Sequence, residues 1–335
     1  MIYLLKRFYP LIILTILIFI PVWVLCGTRT NSYLTLKGDT MPFESVIEID
    51  TDNNQEGKFS TIYVISMQKS TIFQNILADM DPKIERGELS KASQEISDID
   101  SYKASKIQYY SSIESSLILA YNEAKKDDSD IILDYEFYSY DITYKSVDSQ
   151  FKIGDKIIGM NDITNDDMDL LLNNIRNPKI GDKCIIIRDD KEMEITLAEG
   201  EGYYGYPRFN IDNALPKYKL NDNAVGGPSG GLLQSLSIYN RLTKEDLTHG
   251  LSIAGTGTID INGNVGMIGG IREKIPTAID DDVDVFFCVS GNYIDALESY
   301  NSIPNRNKMK LIKVDTFYDC INYLKEGYKD DFKNL

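Results

Sequence analysis

Histidine is nearly absent from this sequence of 335 residues, which contains only His249. A zinc site of the HExxH type needs two histidines on one helix, so the sequence excludes that chemistry. A Ser-His-Asp triad would have to use His249, which lies in "LTHGLSI" three residues after Asp246. The alternative, which the turn-like surroundings favour, is a histidine in a surface turn before a strand.

Cysteine is also sparse, and the four cysteines form no CxxC pair. Cys26 lies in an apolar run near the N-terminus, and Cys184 and Cys288 lie in strand-like apolar runs. Such residues are typical of buried thiols rather than of a disulfide framework or a zinc site. A GxxxxGK[ST] loop is missing as well, so we predict no metal, no cofactor and no ATP site.

Positive charge is in short supply: the net charge is −16, and no Lys/Arg cluster follows the N-terminal residues. Binding to nucleic acid needs a basic surface against the phosphates. We therefore predict no nucleic-acid partner. The acidity itself indicates solubility.

One long apolar run contrasts with this polar composition, because Phe8–Gly27 contains no charged residue. About 20 apolar residues span a bilayer, and Lys6 and Arg7 before the run favour a cytoplasmic N-terminus. A cleaved signal peptide is the alternative, but no A-x-A-like site follows, and Leu25 before Cys26 is large for a lipoprotein site. We predict an uncleaved single-pass anchor in the cell membrane, with the remaining chain outside.

The rest of the chain mixes strand and helix patterns and predicts an α+β protein with an anchor and three further parts. The predicted parts are 1–30 (cytoplasmic tip and anchor), 31–126 (an extracellular α/β segment), 127–200 and 201–335. In 31–126, "STIYVISM" (Ser60–Met67) is strand-like, and an amphipathic helix follows from Tyr102. No residue of this segment indicates chemistry, so we interpret its helix as packing.

Residues 127–200 resemble a PDZ domain. The strand-like "IILDYEFYSY" is followed by "FKIGDKIIGMNDI", a helix-like "NDDMDLLLNNI" and two strands in "GDKCIIIRDDKEMEITL". Phe151–Ile163 is the most specific stretch of the resemblance. PDZ domains bind extended peptides at a strand edge, but Tyr135–Tyr144, where a carboxylate-binding loop is expected, contains no glycine. A strand-addition groove and a rigid spacer both stay open.

Ser229 lies in the glycine-rich stretch "AVGGPSGGLLQSL", just before an apolar helical stripe. Pro228 suits the first turn of a helix, and a serine there lies near free backbone N–H donors that can hold an oxyanion. The glycines at positions 226, 227, 230 and 231 would let a substrate backbone approach without a Cβ collision. The alternative is an ordinary Gly-Pro turn with a serine N-cap.

A hydroxyl needs a base to become a nucleophile, and Lys274 in "VGMIGGIREKIPTAI" is the candidate. It lies on an apolar helical face with Ile271 and Ile275. Burial disfavours the ammonium form and lowers a lysine pKa, which is about 10.4 in water. The alternative is a lysine that extends its amine into water.

The block from Gly227 to Lys274 resembles the proteolytic domain of Lon-type serine proteases. The shared motifs are Gly-Pro-Ser-x-Gly, then Thr-Gly-x-Ile, then Gly-x-Val-x-x-Ile-Gly-Gly-x-x-x-Lys. The resemblance implies an α/β proteolytic domain in which Ser229 is the nucleophile and Lys274 its general base. The implied supporting residues, for the oxyanion, the substrate approach or the start of the lysine helix, are Gly227, Pro228, Gly230, Thr256, Gly269 and Gly270.

Three positions depart from that family pattern. Gly230 replaces the usual alanine and is expected to loosen the helix start. Gly226 stands where an acidic residue is common in ATP-dependent members, so an acidic helper for Lys274 is not expected. Pro276 is expected to interrupt the lysine helix.

The order of anchor, PDZ-like part and Lon-type domain resembles bacterial membrane-anchored, ATP-independent Lon-domain proteases. The resemblance implies a cell-surface serine endopeptidase with a Ser-Lys dyad, acting without ATP on peptides or on unfolded or membrane-proximal proteins. The alternative is a non-catalytic peptide-binding scaffold with a relic protease domain.

Overall fold

A computed structural model describes residues 2–81, 83–221, 225–304, 306 and 308–328, with side chains from Phe8 onward. The helices in this part of the chain are α1 (Ile2–Gly27), α2 (Ile72–Met80), α3 (Lys91–Glu95), α4 (Asp98–Ala124), α5 (Met168–Arg176), α6 (Gly231–Leu242), α7 (Ile271–Asp280), α8 (Tyr293–Ser302) and α9 (Phe317–Asn322). The strands are β1 (Ser32–Pro42), β2 (Ile47–Ile49), β3 (Lys58–Met67), β4 (Glu85–Glu88), β5 (Ile132–Lys145), β6 (Lys156–Met160), β7 (Ile163–Thr164), β8 (Lys183–Arg188), β9 (Lys191–Thr196), β10 (Tyr203–Leu215), β11 (Tyr218–Leu220), β12 (Ser252–Thr256), β13 (Thr258–Ile259), β14 (Val265–Gly266), β15 (Val285–Val289) and β16 (Lys310–Val314). The predicted α+β character is confirmed.

A six-stranded mixed sheet carries the site described below. Its strand order is β16-β15-β12-β3-β1-β4. The first four strands run parallel to one another, while β1 is antiparallel to β3 and β4 is antiparallel to β1. Strand β15 (sequence VFFCV) is buried along its whole length and β12 is buried from Ile253 to Thr256, as central strands covered on both faces are. Residues 31–126 and 201–335 therefore build one sheet between them.

A second, antiparallel sheet has the order β10-β5-β6-β8-β9, with β7 beside β6. The strands and the helix predicted in residues 127–200 appear there as β5 to β9 and α5. The long strand β10 pairs with β5 along its length, from Tyr203 opposite Lys145 to Leu215 opposite Ile132. The edge of β5 beside β10 is thus taken by the chain itself.

Helix α4 connects the two sheets. It packs against α6 on the side of the mixed sheet and against β5 and β10 of the second sheet. Ile113, Leu117 and Tyr121 are buried as the amphipathic spacing predicts, but Ser112 and Ser116 on other faces are buried too. The second half of α4, from Ser111 to Ala124, is covered on nearly all sides and belongs to a core between layers.

Helix α1 is the apolar run near the N-terminus. Its segment Phe8–Gly27 has 20 residues with a mean hydropathy of 2.6, and none of the window is buried. By length and composition alone this helix could cross a membrane. Pro10 and Pro21 lie inside it.

Candidate active site

Ser229 lies in the turn that leads into α6. Gly230 is the N-cap residue, and the helix begins at Gly231. Pro228 therefore precedes the helix, and its predicted place in the first turn is wrong. The reason is the hydrogen bonding: the N–H of Leu232 donates to the carbonyl of Gly257 at 3.1 Å instead of to Pro228.

Lys274 reaches this turn from α7. Its Nζ lies 2.9 Å from Ser229 Oγ and 2.9 Å from Thr256 Oγ1. The side chain is 1% exposed, so the amine does not reach water. The lysine that extends its amine into solvent, the alternative on sequence grounds, is therefore not what the structure has.

Burial determines the charge of this amine. It lowers the pKa of Lys274 from its ordinary value near 10.5 to about 7, because an ammonium loses its hydration in an apolar surrounding. Among the described residues no carboxylate forms an ion pair with Lys274. Near pH 7 about half of the amines are therefore neutral, and a neutral amine can accept a proton.

Thr256, at the end of β12, positions both partners. Its hydroxyl accepts a hydrogen bond from Lys274 Nζ and donates one to the Ser229 carbonyl at 3.1 Å. The same carbonyl accepts the N–H of Gly257 at 2.9 Å. Thr256 is fully buried. The threonine thus fixes the backbone that bears the serine and the direction of the amine at once.

Two backbone donors at the turn are available to a ligand. Within the described residues, the N–H groups of Ser229 and Gly230 form no hydrogen bond. Both lie beside Ser229 Oγ at the amino end of α6, where the helix dipole favours negative charge. This arrangement can stabilise an oxyanion.

At two glycines of the turn, the space that a side chain would occupy is filled by α4 and is not open to an incoming chain. A Cβ at Gly226 would lie 1.8 Å from Ser105 Oγ, and one at Gly231 would lie 2.7 Å from Ser112 Oγ, both on α4. Gly227 has a φ of +82°, which favours glycine for a different reason. The expectation that these glycines serve substrate approach is therefore wrong for Gly226 and Gly231, which let α4 approach the turn.

The start of α7 is held by its glycine and by a buried asparagine. Gly270 is the N-cap in a left-handed conformation with a φ of +71°, and its carbonyl accepts the N–H of Lys274. A Cβ at Gly269 would meet nothing within 4 Å. Asn292 pairs with both backbone groups of Ile268, at 2.9 and 3.0 Å. Nothing in the sequence singled out Asn292.

The expectation that Pro276 interrupts the lysine helix is wrong. Helix α7 continues through it to Asp280. Proline lacks the N–H that would bond to the carbonyl four residues earlier, which is the carbonyl of Arg272. Ser299 Oγ on α8 donates to that carbonyl at 2.8 Å. An outside hydroxyl replaces the missing hydrogen bond.

Serines of α4 form hydrogen bonds to the turn that carries Ser229, residues 226–231, which we call the nucleophile turn. Ser112 Oγ donates to the Pro228 carbonyl at 3.2 Å, and Ser116 Oγ lies 3.0 Å from the Gly231 carbonyl. The carbonyl of Ser105 accepts the N–H of Gly227. The interpretation of α4 as mere packing is therefore wrong. The sequence did contain a sign of this role in "SSIESS" (Ser111–Ser116), because serines that are buried in the middle of a helix need hydrogen-bond partners.

A cleft of about 960 Å³ opens at Ser229. One wall is β3, and the other is the first half of α4 with the turn at Gly226 and Gly227. Strand β12 pairs with β3 only as far as Thr61. In the described part of the chain, β3 from Ile62 to Met67 pairs with β1 alone. The edge of β3 facing the cleft can therefore accept an extended chain.

His249 is not part of this site. Its Nε2 lies 2.8 Å from the Leu324 carbonyl, and its ring stacks on Tyr328 with centroids 3.9 Å apart. The structure gives it no contact with Ser229, and Asp246 bonds instead to Thr248 and Asn240. A triad through His249 is not assembled. Among the described residues no group of His, Cys, Asp or Glu could hold a metal ion.

Comparison with known families gives a match for this part of the chain. Residues 219–325 match the Lon protease (S16) C-terminal proteolytic domain. The Lon protease of Campylobacter jejuni is 33% identical over 125 residues, covering 35% of this chain and 14% of that protein. That of Mesomycoplasma hyopneumoniae is 28% identical over 120 residues, covering 35% of this chain and 13% of that protein.

The Lon protease of the Aster yellows witches'-broom phytoplasma is 33% identical over 98 residues, covering 29% of this chain and 12% of that protein. The matched region is thus a small part of each relative, between 12% and 14% of its length. The prediction of a Lon-type serine protease domain is confirmed for residues 219–325.

Proposed function

We propose, from a Lon-type proteolytic domain at residues 219–325, that this chain is a serine endopeptidase with a Ser-Lys dyad. The observation that carries the proposal is the buried amine of Lys274, 2.9 Å from Ser229 Oγ. A pKa of about 7 suits a general base that works near neutral pH. Such a pair can activate a hydroxyl without histidine or metal ligands.

In the first step, Ser229 Oγ attacks the carbonyl carbon of the scissile peptide bond, and its proton passes to Lys274 Nζ. The tetrahedral intermediate then expels the amine product, which takes that proton. The remaining acyl ester on Ser229 is attacked by water, which gives its proton to Lys274. Expulsion of Ser229 Oγ, which recovers the proton, releases the acid product and restores the dyad.

The supporting residues act on position and charge. The N–H groups of Ser229 and Gly230 are the donors for the oxyanion. Thr256 holds the Ser229 carbonyl and orients Lys274 through the bonds at 3.1 and 2.9 Å. Gly270 and Gly227 shape the two turns that carry the dyad. Their contribution to catalysis is through position.

The substrate is an extended segment of a peptide or an unfolded protein. It would add as a strand to the free edge of β3, where main-chain hydrogen bonds bind it and cleft side chains such as Tyr102 and Gln108 set specificity. The chain contains no GxxxxGK[ST] motif, so hydrolysis needs no ATP. Folded proteins would be poor substrates because nothing here unfolds them.

The enzyme is anchored in a cell membrane through Phe8–Gly27, with the catalytic domain outside. The helix length and hydropathy support the span, and Lys6 and Arg7 before it support a cytoplasmic N-terminus. Residues 127–200 form a PDZ-like unit that acts as a spacer. Pairing of β10 with β5 supports this role over peptide binding at that edge.

The test is cleavage of a library of unstructured peptides by the purified full chain, followed by mass spectrometry. Ser229→Ala and Lys274→Ala should each lower kcat/KM by about 10³-fold or more, since dyad members act as a unit. Ser237→Ala is the matched control, because Ser237 Oγ is buried in α6 without a hydrogen-bond partner. Full activity of Ser229→Ala with an intact fold would refute the assignment. Binding of peptides without turnover by the wild type would revive the scaffold alternative.

A further inference from the structure

Helix α2 exposes a row of apolar side chains to the outside of the molecule. The exposed fractions are 43% for Phe73, 45% for Ile76, 45% for Leu77 and 76% for Met80. These positions follow the spacing of one helix face. A contiguous apolar surface on an otherwise polar protein marks an interaction site.

The other face of α2 is fixed to the body of the protein. Thr71 and Gln74 form a capping box at its start, and the Asn75 amide is bonded to Ser70 and to Thr30. Helix α2 therefore has no freedom to turn its apolar row inward. The row is a permanent feature of the surface.

The apolar row begins at the end of α1. The N–H of Ile72 donates to the Thr28 carbonyl at 3.2 Å, and the N–H of Thr30 donates to the Ser70 carbonyl at 2.8 Å. Arg29 also pairs with Thr71 in a β-bridge. Helix α2 has nine residues and is about 14 Å long. All of it thus lies close to the residue at which the apolar helix ends.

We infer that α2 lies in the polar interface of a phospholipid bilayer, with its apolar row inserted below the headgroups. The inference rests on the proposed membrane anchor, because continuity with α1 is what selects lipid over another occupant. Amphipathic helices bind at this depth by burying an apolar face while their polar face stays wet. Helix α1 supplies the attachment, and α2 holds the catalytic domain against the surface.

This position of α2 in the bilayer interface, which we call the seating, places one end of the cleft at the membrane. Arg29, Gln68 and Asp98 line the end of the cleft away from Ser229, and Arg29 lies two residues after the end of α1. From Thr61, beside the nucleophile turn, to its last residue Met67, β3 advances six residues, or about 20 Å, and Gln68 comes next. The substrate class is therefore an extended segment that emerges from the same bilayer, cut at a set distance from it.

The test uses the single tryptophan of the chain, Trp23. In a Trp23→Phe background, the full chain carries either Phe73→Trp or Ile294→Trp and is reconstituted in phosphatidylcholine vesicles with brominated acyl chains. Ile294 is the matched control, since it is 72% exposed on α8, which contacts α7 and β15, and β15 lies three strands away from β1 in the sheet. Bromine should reduce the fluorescence of Phe73→Trp by about twofold or more and leave Ile294→Trp nearly unchanged.

Flotation of the vesicles separates the two proposals. A chain that does not float with the vesicles refutes the anchor and the seating together. A chain that floats, but whose Phe73→Trp is quenched no more than Ile294→Trp, refutes the seating alone. A blue-shifted Phe73→Trp signal without quenching, together with a dimer in sedimentation, would show that a second copy covers α2 and would also refute it.

The seating also predicts a change in substrate choice. A Phe73→Ser/Leu77→Ser double variant should cut a soluble unstructured peptide like wild type. It should cut a single-pass substrate in the same vesicles about tenfold more slowly or at scattered positions, because the cleft loses its fixed height. Ile294→Ser/Leu297→Ser on α8 should match wild type in both assays. An α2 variant that retains one sharp cut near the membrane would contradict the inference.

Discussion

The two halves of the mixed sheet come from opposite parts of the chain and serve the site differently. The C-terminal part of the chain supplies the reacting groups, with Ser229 in the turn before α6 and Lys274 on α7, a helix that packs on β1 and β3. In the N-terminal part, β3 and α4 line the cleft, and α4 also holds the nucleophile turn. One half supplies atoms that react, and the other supplies their position and the binding surface.

This difference explains why catalytic residues could be recognised from the sequence in the C-terminal part of the chain only. A nucleophile, its base and the turns that carry them require particular residue types at particular spacings, and these form motifs. A cleft wall requires a shape, a free strand edge and a few hydroxyls, which many sequences provide. The predictions below test whether the two halves divide their roles in this way.

The largest expected effect is on the free energy of unfolding, when Lys274 is replaced. In the unfolded chain this lysine has a pKa of about 10.4, whereas burial brings it to about 7 in the folded protein. Folding at pH 7 thus releases protons, and stability contributed by this group rises with pH between about 7 and 10.5. Lys274→Met should raise the free energy of unfolding at pH 7 by up to about 4 kcal/mol.

Urea denaturation of the full chain at pH 7 and at pH 10 measures this gain, which should shrink at the higher pH. Lys313→Met on the exposed surface is the control and should change stability by less than about 0.5 kcal/mol. Equal stability of Lys274→Met and wild type at pH 7 would mean that the amine is solvated. That result would contradict the assignment of Lys274, in the C-terminal part of the chain, as the general base.

The second effect is the pH dependence of cleavage. Because the neutral amine is the active form, kcat/KM should rise with pH through about 7 and fall about tenfold per pH unit below it. At pH 5 the rate should therefore be about 100-fold below the plateau. Ser112→Ala on α4 should lower the plateau without moving the midpoint. A profile that is flat from pH 5 to 9 would contradict a lysine base.

The third effect tests the N-terminal half directly. Gly226→Ala would place its Cβ 1.8 Å from Ser105 Oγ, so the Ser105 hydroxyl must rotate or the nucleophile turn must move away from α4. We expect kcat/KM to fall about tenfold, since small displacements of reacting groups are costly. Ser105→Ala in the same chain should recover most of this loss. Gly202→Ala is the control, because its Cβ would stand 3.4 Å from Ser146, and failure of the rescue would argue against contact with α4.

The smallest effect concerns Pro276. Ser299→Ala removes the hydroxyl that bonds to the Arg272 carbonyl and should cost about 1–2 kcal/mol of unfolding free energy. Pro276→Ala restores a backbone N–H for that carbonyl, so the double variant should lose less. The two substitutions should therefore couple in a double-mutant cycle by chemical denaturation. Additive effects would mean that Ser299 does not substitute for the missing helix bond.

The apolar helix, the strand patterns and the two dyad residues could be predicted from the sequence because each depends on local composition or on a motif. Burial of the Lys274 amine was one of two alternatives that the apolar face with Ile271 and Ile275 left open. The contacts of Gly226 with Ser105, of Asn292 with Ile268 and of Ser299 with Arg272 join residues far apart in the chain. No local pattern encodes such pairs.

What the sequence by itself determined is the chemistry: a serine and a lysine of the required kind, with too few histidines for a zinc site of the HExxH type. What only the tertiary structure decided is the pairing of these groups at 2.9 Å, the strand edge of β3 and the apolar row of α2 beside α1. The physical reason is distance along the chain. Reactivity belongs to residue types and can be read position by position, whereas burial, strand edges and exposed faces exist only when remote segments pack together.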